Sequence, residues 1–422
     1  MAEQTKINTR VWVVLAFAWI AIASASIISF GLGMMMPGIV REFGVDTTTM
    51  GQLFGISALV QVITLIPLSL ILAKVNPKIS ITLIMLGISI GFLISSQARN
   101  MLMLYIGFIV FAPFSANVLA ALLVGTKLRG VPPEHMVQVN GIENFAAPIG
   151  QLTALLSIPI LIGLFGTWRG VFFTVFVIIT ICYIFYFISW GNGKQISYGQ
   201  GDAPQSAPKT SIFSVLKETV SNKFVWITGI AWPGTTIIWI AMFLYWPTYA
   251  VTTLGVSLSQ AGIVLAMIPL FSAISSLVSP SIAKKIGYDK PLICCWGILL
   301  PVFYFMMTVF TNVPLLMLFS ALTGFGAYFF VPLAYTNMYK IGLSRPAIAI
   351  AHGIILTFVL VGVSIAGNVI GALIRQFDGN IQSALRIACF TPIWFGILTL
   401  FLPELGYKKM QQLKAAKEAA GS

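Results

Sequence analysis

The sequence predicts an all-α membrane protein of twelve transmembrane helices, built as two pseudo-symmetric six-helix bundles. Three observations predict it. The chain is 58% hydrophobic and 8% charged, with a mean hydropathy of +0.96, whereas a soluble globular domain carries about 25% charged residues. Its apolar residues fall into twelve stretches separated by charge clusters. Three widely spaced sequence pairs also recur in the second half at one nearly constant offset.

A helix crossing hydrocarbon needs about 20 mostly apolar residues. The first stretch, 11–37, follows Lys6 and Arg10; the second, 51–73, follows Asp46 and ends at Lys74; the third, 79–98, lies between Lys78 and Arg99. The fourth, 101–125, stops before Lys127 and Arg129, the fifth, 138–162, follows Glu134, and the sixth, 170–190, follows Arg169. In the second half, 224–250 follows Lys223, 260–282 stops before Lys284 and Lys285, and 291–310 follows Lys290. The remaining three are 313–337, ending before Lys340, 347–373, between Arg345 and Arg375, and 382–402, ending before Glu404.

Cytoplasmic loops keep an excess of Lys and Arg. With twelve spans, Arg41, Arg99, Arg169, Arg375 and Arg386 fall on one side and the other 19 of the 24 basic residues on the opposite side. Both termini are therefore expected in the cytoplasm, with the chain multi-pass in the cell inner membrane. The formal charge of +13 belongs to this asymmetry and to the anionic leaflet of the lipid bilayer, so nucleic acid is not an expected partner. The first apolar run is too long for a cleavable signal peptide and reads as an anchor. Cys182, Cys294, Cys295 and Cys389 lie within predicted spans as small apolar residues, without disulfide or zinc-site spacing, so neither metal nor cofactor is expected.

The repeat places Phe43-Gly44-Val45-Asp46, with Thr48, Thr49 and Gly51, against Leu254-Gly255-Val256-Ser257, with Ser259 and Gly262. Ala73-Lys74 pairs with Ala283-Lys284, and Asn140-Gly141 with His352-Gly353. Such parallel repeats occur in transporters whose site lies between the repeated halves. The expected divisions are an N-terminal bundle at 1–190, a linker at 191–222, a C-terminal bundle at 223–405 and a cytoplasmic tail at 406–422. The linker, with Gly191-Asn192-Gly193, Pro204 and Pro208, is rich in turn formers. Its end, Ser211 to Asn222, sets Ile212, Phe213, Leu216 and Val220 on one helical face, as expected of a helix lying on the membrane surface.

The chain resembles the major facilitator superfamily over essentially its whole length. The residues carrying the likeness are Gly44-Val45-Asp46-Thr47-Thr48-Thr49-Met50-Gly51 before the second span, Gly166-Thr167-Trp168-Arg169-Gly170 before the sixth, and Ala283-Lys284-Lys285-Ile286-Gly287-Tyr288-Asp289-Lys290 after the eighth. The last is similar to the family's basic gating loop, with Lys284 standing where an Asp is usual. The corresponding loop after the second span also lacks that acid. Drug-exporting members carry a Gly-Pro-Gly-Gly-like run in the fifth helix and an Arg in the fourth; here Gly150-Gln151-Leu152-Thr153 and Tyr105-Ile106-Gly107-Phe108 offer neither. The buried arginines of nitrate carriers are missing too.

Ionisable side chains inside hydrocarbon are costly and usually functional. Marking the spans leaves one acid inside, Glu143 near the start of the fifth, flanked by Asn140 and Asn144. It is the candidate for proton coupling; a carboxylate favoured by the helix dipole in the first turn is the structural alternative. His352 occupies the corresponding start of the eleventh span, as a titrating gate or as a capped helix-end histidine, and Lys284 and Lys285 are candidate gating residues. Trp232, Trp239 and Trp246 recur every seven residues and so form one stripe, with Tyr245 and Tyr249 beyond. The stripe fits a cavity lining that stacks on solute, or packing plus an interfacial aromatic belt. Pro233 and Pro247 predict breaks in the same helix. Ser29, Gln61, Asn117, Gln151 and Tyr328 are polar residues near mid-membrane; with Trp239 they form the candidate substrate site, and each also fits an interhelical hydrogen bond. In the family resembled, the first, fourth, seventh and tenth helices line the cavity, which favours Ser29, Asn117, Trp239 and Tyr328.

The function expected is secondary active or facilitative transport, by a monomer, of a small neutral, zwitterionic or monocarboxylate organic solute through alternating access of the two halves. Protons or a counter-solute remain open as coupling partners. An exporter of amphipathic or drug-like compounds and a non-transporting membrane sensor are the alternatives. No Walker-type loop occurs, so ATP is not the direct energy source. Dispersed acids and two histidines 217 residues apart do not make an enzyme site.

Overall fold

A computed structural model describes residues 9–75, 77–130, 146–190, 212–338, 340–409 and 411–412. The chain divides at Ser206 and Ala207 into two units. All regular structure among the described residues is helical, as hydrocarbon demands, because only a helix satisfies its own backbone polar groups where water is absent.

In the first unit the helices are α1 (Thr9–Phe43), α2 (Thr47–Lys74), α3 (Pro77–Ser96), α4 (Met101–Gly130), α5 (Ala146–Phe165) and α6 (Arg169–Trp190). Gly44 takes φ 63°, which lets the chain reverse after α1. Asp46 then caps α2 by accepting from the Thr49 amide at 2.7 Å. α3 packs on α4, α2 and α6, and α1 packs on α5 and α6. These contacts are close because glycines stand at the crossings: a β-carbon on Gly150 would collide with the Ala23 backbone, and one on Gly91 with Phe111 and the Gly107 carbonyl.

The second unit contains α7 (Ile212–Val220), α8 (Lys223–Ala231), α9 (Pro233–Thr252), α10 (Leu258–Ile286), α11 (Lys290–Cys294) and α12 (Trp296–Met306). It continues with α13 (Val313–Phe329), α14 (Val331–Met338), α15 (Arg345–Gln376), α16 (Ile381–Ala388) and α17 (Thr391–Thr399). The repeat seen in the sequence is a repeat of conformation. Gly255 takes φ 71° as Gly44 takes 63°, and Ser257 caps α10 where Asp46 caps α2, here with Gln260 closing a capping box. Gly287, at φ 84°, ends α10 in the left-handed conformation.

Eleven of the twelve predicted stretches coincide with one helix or with a consecutive pair, and the described part of the fifth, from Ala146, lies in α5. Nine helical segments among the described residues are long and apolar enough to cross a membrane; the count of twelve rests on the sequence. Four spans of the second unit are interrupted, at Trp232, Cys295, Phe330 and Cys389–Phe390. Pro233, Pro332 and Pro392 follow three of these points within a few residues and remove a backbone donor from the ladder. The predicted break at Pro247 is not found, since α9 runs through it to Thr252. At the α12–α17 crossing Gly297 faces Gly396, so that a β-carbon on Gly297 would collide with the Gly396 backbone.

Within the linker expected at 191–222, residues 191–211 lie outside the described residues, as do Glu143 with Asn140 and Asn144, and the tail from 413 onward. The remainder forms α7, which packs on α15. Its buried stripe is Val215 and Thr219, whereas Leu216 and Val220 are exposed. The Thr219 hydroxyl donates to the Ala347 carbonyl at 3.2 Å. Glu218 accepts from the Ser344 amide at 2.7 Å and from its hydroxyl at 2.8 Å, placing a carboxylate on the α15 N-terminus.

The Ser344 amide, and then its hydroxyl, hold the Glu218 carboxyl below the usual carboxylate range. Because the folded value is depressed, this latch contributes at pH above the ordinary carboxylate pKa of about 4.3 and is lost as pH falls through the folded value. Glu218→Gln is expected to speed hydrogen exchange at Ser344 and Ala347 at neutral pH, and acidified parent protein to converge on the variant. Equal exchange in parent and variant at neutral pH overturns the latch. A Gly297→Val variant is expected to lose about 1–3 kcal/mol by overpacking, read as a lowered unfolding midpoint in detergent; an unchanged midpoint overturns the tight crossing.

Candidate functional site

The tryptophan stripe of the second unit separates into two environments. Trp246 is fully buried, and its indole N–H donates to the Met307 carbonyl at 3.0 Å. Tyr249 does the same to the Thr308 carbonyl at 3.0 Å, and Gln382 donates to both that carbonyl and the Tyr249 hydroxyl, at 2.7 and 3.0 Å. Trp246 and Tyr249 therefore pack inside the unit. A buried indole or phenol needs such a partner, and the end of α12 supplies it.

Trp239 is buried too, at 9% accessible, but its neighbours are rings: Phe243 with centroids 5.1 Å apart and the half-buried Tyr328 of α13 at 5.4 Å. Trp232, at the α8–α9 interruption, lies 5.9 Å from Phe330, at the α13–α14 interruption, and 5.3 Å from Tyr335. Tyr335 in turn meets His352 edge-on at 5.1 Å. Tyr328, Tyr335 and His352 are only half-buried, so this series of rings from α9, α13, α14 and α15 keeps accessible surface. His352 lies two turns inside α15, not at its end as a capping residue would.

The other expected substrate-site residues belong to the first unit. Gln151 is buried in α5 and Gln61 half-buried in α2. Ser29 falls in α1 and Asn117 in α4, with side chains outside the described residues, and Glu143 lies outside them altogether.

Lys284 and Lys285 are exposed in the last turn of α10. The ion pair of this loop comes from Asp289, nearly fully buried, which accepts from Lys340 Nζ at 2.9 Å. Lys340 also donates to the Leu405 carbonyl at 2.9 Å. Glu404 accepts from the amides of Asp289, Lys290 and Gly406 at 2.8, 3.1 and 2.7 Å. Asp289 and Lys340 thus bind the α10–α11 loop, the end of α14 and the segment after α17 into one clip. Sequence reasoning passed over this clip because Asp289, Lys340 and Glu404 each read as solvated loop charges. Their common position at one end of neighbouring spans was the available signal.

A second clip joins α1, α3 and α6 in the first unit. Arg169 pairs with Glu42 at 2.7 Å and donates through Nε and Nη2 to the Ala98 carbonyl at 2.8 and 2.6 Å. The Trp168 indole donates to the same carboxylate at 2.8 Å and lies under the guanidinium, 4.4 Å from it. The Trp-Arg pair is therefore one device: both side chains read one acid, and arginine's planar fork meets a carbonyl and a carboxylate at once.

A family model described as Major Facilitator Superfamily matches residues 18–367. Among solved structures, a bacterial homolog to the human lysosomal transporter Spinster, in an inward-facing and unoccupied conformation, superposes with a TM-score of 0.73 at 15% identity, covering 94% of this chain and 95% of its own. The nucleoside transporter NupG gives a TM-score of 0.74 at 14% identity, covering 93% and 98%. At such identities the likeness is one of fold alone. A sequence search of curated proteins gave no match.

Replacing Arg169 by Lys keeps the charge and removes the fork. This change is expected to cost about 1 kcal/mol, because the pair is partly exposed, and to lower the unfolding midpoint in detergent; Trp168→Phe should lower it in the same direction. Midpoints equal to that of the parent in both variants overturn the clip.

Proposed function

Since the chain belongs to the Major Facilitator Superfamily and is a multi-pass membrane transporter rather than an enzyme, we propose that it carries a small neutral, zwitterionic or monocarboxylate organic solute by alternating access of its halves. The observation that carries this reading is the pairing of Trp239 with Phe243 and the half-exposed Tyr328. Rings from two helices that touch each other, with one still accessible, supply a face on which an apolar, aromatic or cationic group stacks. No Lys or Arg falls within the predicted middle of any span, which argues against a polyanion. Ser29, Asn117, Gln61 and Gln151 are proposed to orient the solute by hydrogen bonds.

Glu143 is proposed as the coupling group, because it is the one acid that the span boundaries place inside the membrane. His352, beside Tyr335, is a further candidate at the same ring series. We place the protein in the cytoplasmic membrane with both termini inside, from the Lys and Arg bias of its loops. The exposed Leu216 and Val220 of α7 support a helix lying on that inner surface.

Uptake into proteoliposomes of labelled organic acids, amines and amino acids, with and without an imposed pH gradient, tests the solute class. For a solute so found, Trp239→Ala is expected to weaken apparent affinity about fivefold, the equivalent of about 1 kcal/mol of ring contact, while Trp246→Ala lowers the yield of folded protein instead. Unchanged affinity in Trp239→Ala assigns the ring to packing. Glu143→Gln should abolish accumulation driven by the pH gradient yet spare solute exchange, since the amide keeps shape but cannot cycle a proton. Gradient-driven accumulation at the parent level in that variant removes the coupling role.

A further inference from the structure

We propose that the basic end of α10 binds the phosphate-bearing headgroup of an anionic membrane lipid. A cavity of about 410 Å³ opens there, with Pro280, Ala283 and Leu333 as apolar lining and Lys284, Asp289, Thr336, Lys340, Tyr407 and Gln411 as polar lining. Lys340 is already paired with Asp289, whereas Lys284 and Tyr407 are exposed. Lys285 follows Lys284 in the same exposed turn. The local acids, Asp289 and Glu404, are each engaged by groups of the clip, which leaves a net basic surface at the mouth of the cavity. A phosphate diester is the chemistry that the Lys284 ammonium and the Tyr407 phenol over an apolar floor receive, with Lys285 adding to the field from the same turn.

A second feature selects a lipid over a free phosphate. Leu270, Ile274, Leu277, Ser281 and Lys284 follow one another at three- and four-residue intervals and so share one stripe of α10. The stripe is exposed along its length, with Leu270 38%, Ile274 42% and Leu277 62% accessible. An apolar track in the membrane-spanning part of the helix therefore leads to a lysine on the cavity rim. An acyl chain lies along Leu270 to Leu277 while its headgroup meets Lys284; an inorganic ion has no use for the track.

The test uses the full-length protein in uncharged detergent. Native mass spectrometry measures retention of phosphatidylglycerol, of phosphatidylcholine, and of phosphatidylglycerol in the presence of inorganic phosphate. Phosphatidylglycerol is expected to be retained in preference to phosphatidylcholine and to resist displacement by millimolar phosphate. Lys284→Gln should weaken its retention about fivefold, the contribution of one basic side chain near an anionic surface, with Lys284→Arg restoring it. Leu277→Gln should weaken retention of the lipid as well. Lys284 and Leu277 are exposed, so the variants are expected to fold, as a parent-like unfolding midpoint will confirm. Equal retention of the two lipids, or no loss in Lys284→Gln, overturns the site. Displacement of the lipid by phosphate at a comparable concentration overturns the lipid as its occupant.

Discussion

The exclusion of water from the membrane interior is the constraint from which the rest of this structure follows. It forces the backbone into helices, because no other segment satisfies its own amides and carbonyls there, and it drives ionic groups to the helix ends, where water and opposite charges are within reach. Arg169 with Glu42, and Lys340 with Asp289, are found at such ends. Each pair also ties several chain segments together at the point where the helices leave the apolar layer.

Between the ends the packing is carried by small residues and rings. Gly150 against Ala23, Gly91 against Phe111 and Gly297 against Gly396 bring backbones into direct contact, the arrangement that dispersion favours when lipid tails are as apolar as the side chains they would displace. At one place the second unit is fastened through carbonyls freed at the end of a helix. The Met307 and Thr308 carbonyls receive Trp246, Tyr249 and Gln382, so α9, α12 and α16 meet at one place through hydrogen bonds that water would otherwise satisfy.

The rings around Trp239 and Trp232 meet a different kind of neighbour. Other aromatic side chains surround them at 5.1 to 5.9 Å, and two of those neighbours, Tyr328 and Tyr335, stay half-buried. The series also coincides with interruptions of the helices at Trp232 and Phe330. Transporters concentrate recognition at discontinuous helices because the backbone there has groups to spare. Solute recognition is therefore proposed at Trp239 rather than at Trp246, although the two lie on one stripe.

Sequence alone determined the helical class and the repeat, and it set the limits of the apolar runs. Hydrocarbon thickness imposes a length on every apolar run, and Gly44 and Asp46, or Gly255 and Ser257, act through their own backbone and the next few residues. A seven-residue spacing likewise aligned three tryptophans on one face. Only the tertiary structure decided which of them is fastened, since the Trp246 acceptor is 61 residues further along the chain and its approach depends on where α12 ends. The same holds for Asp289: the sequence showed an acid in a basic loop, but its lysine lies 51 residues away, and the pair exists because packing of α10 against α14 brings the two helix ends together. Local physics reaches a few residues along the chain, and specificity of partners is a property of helix crossings.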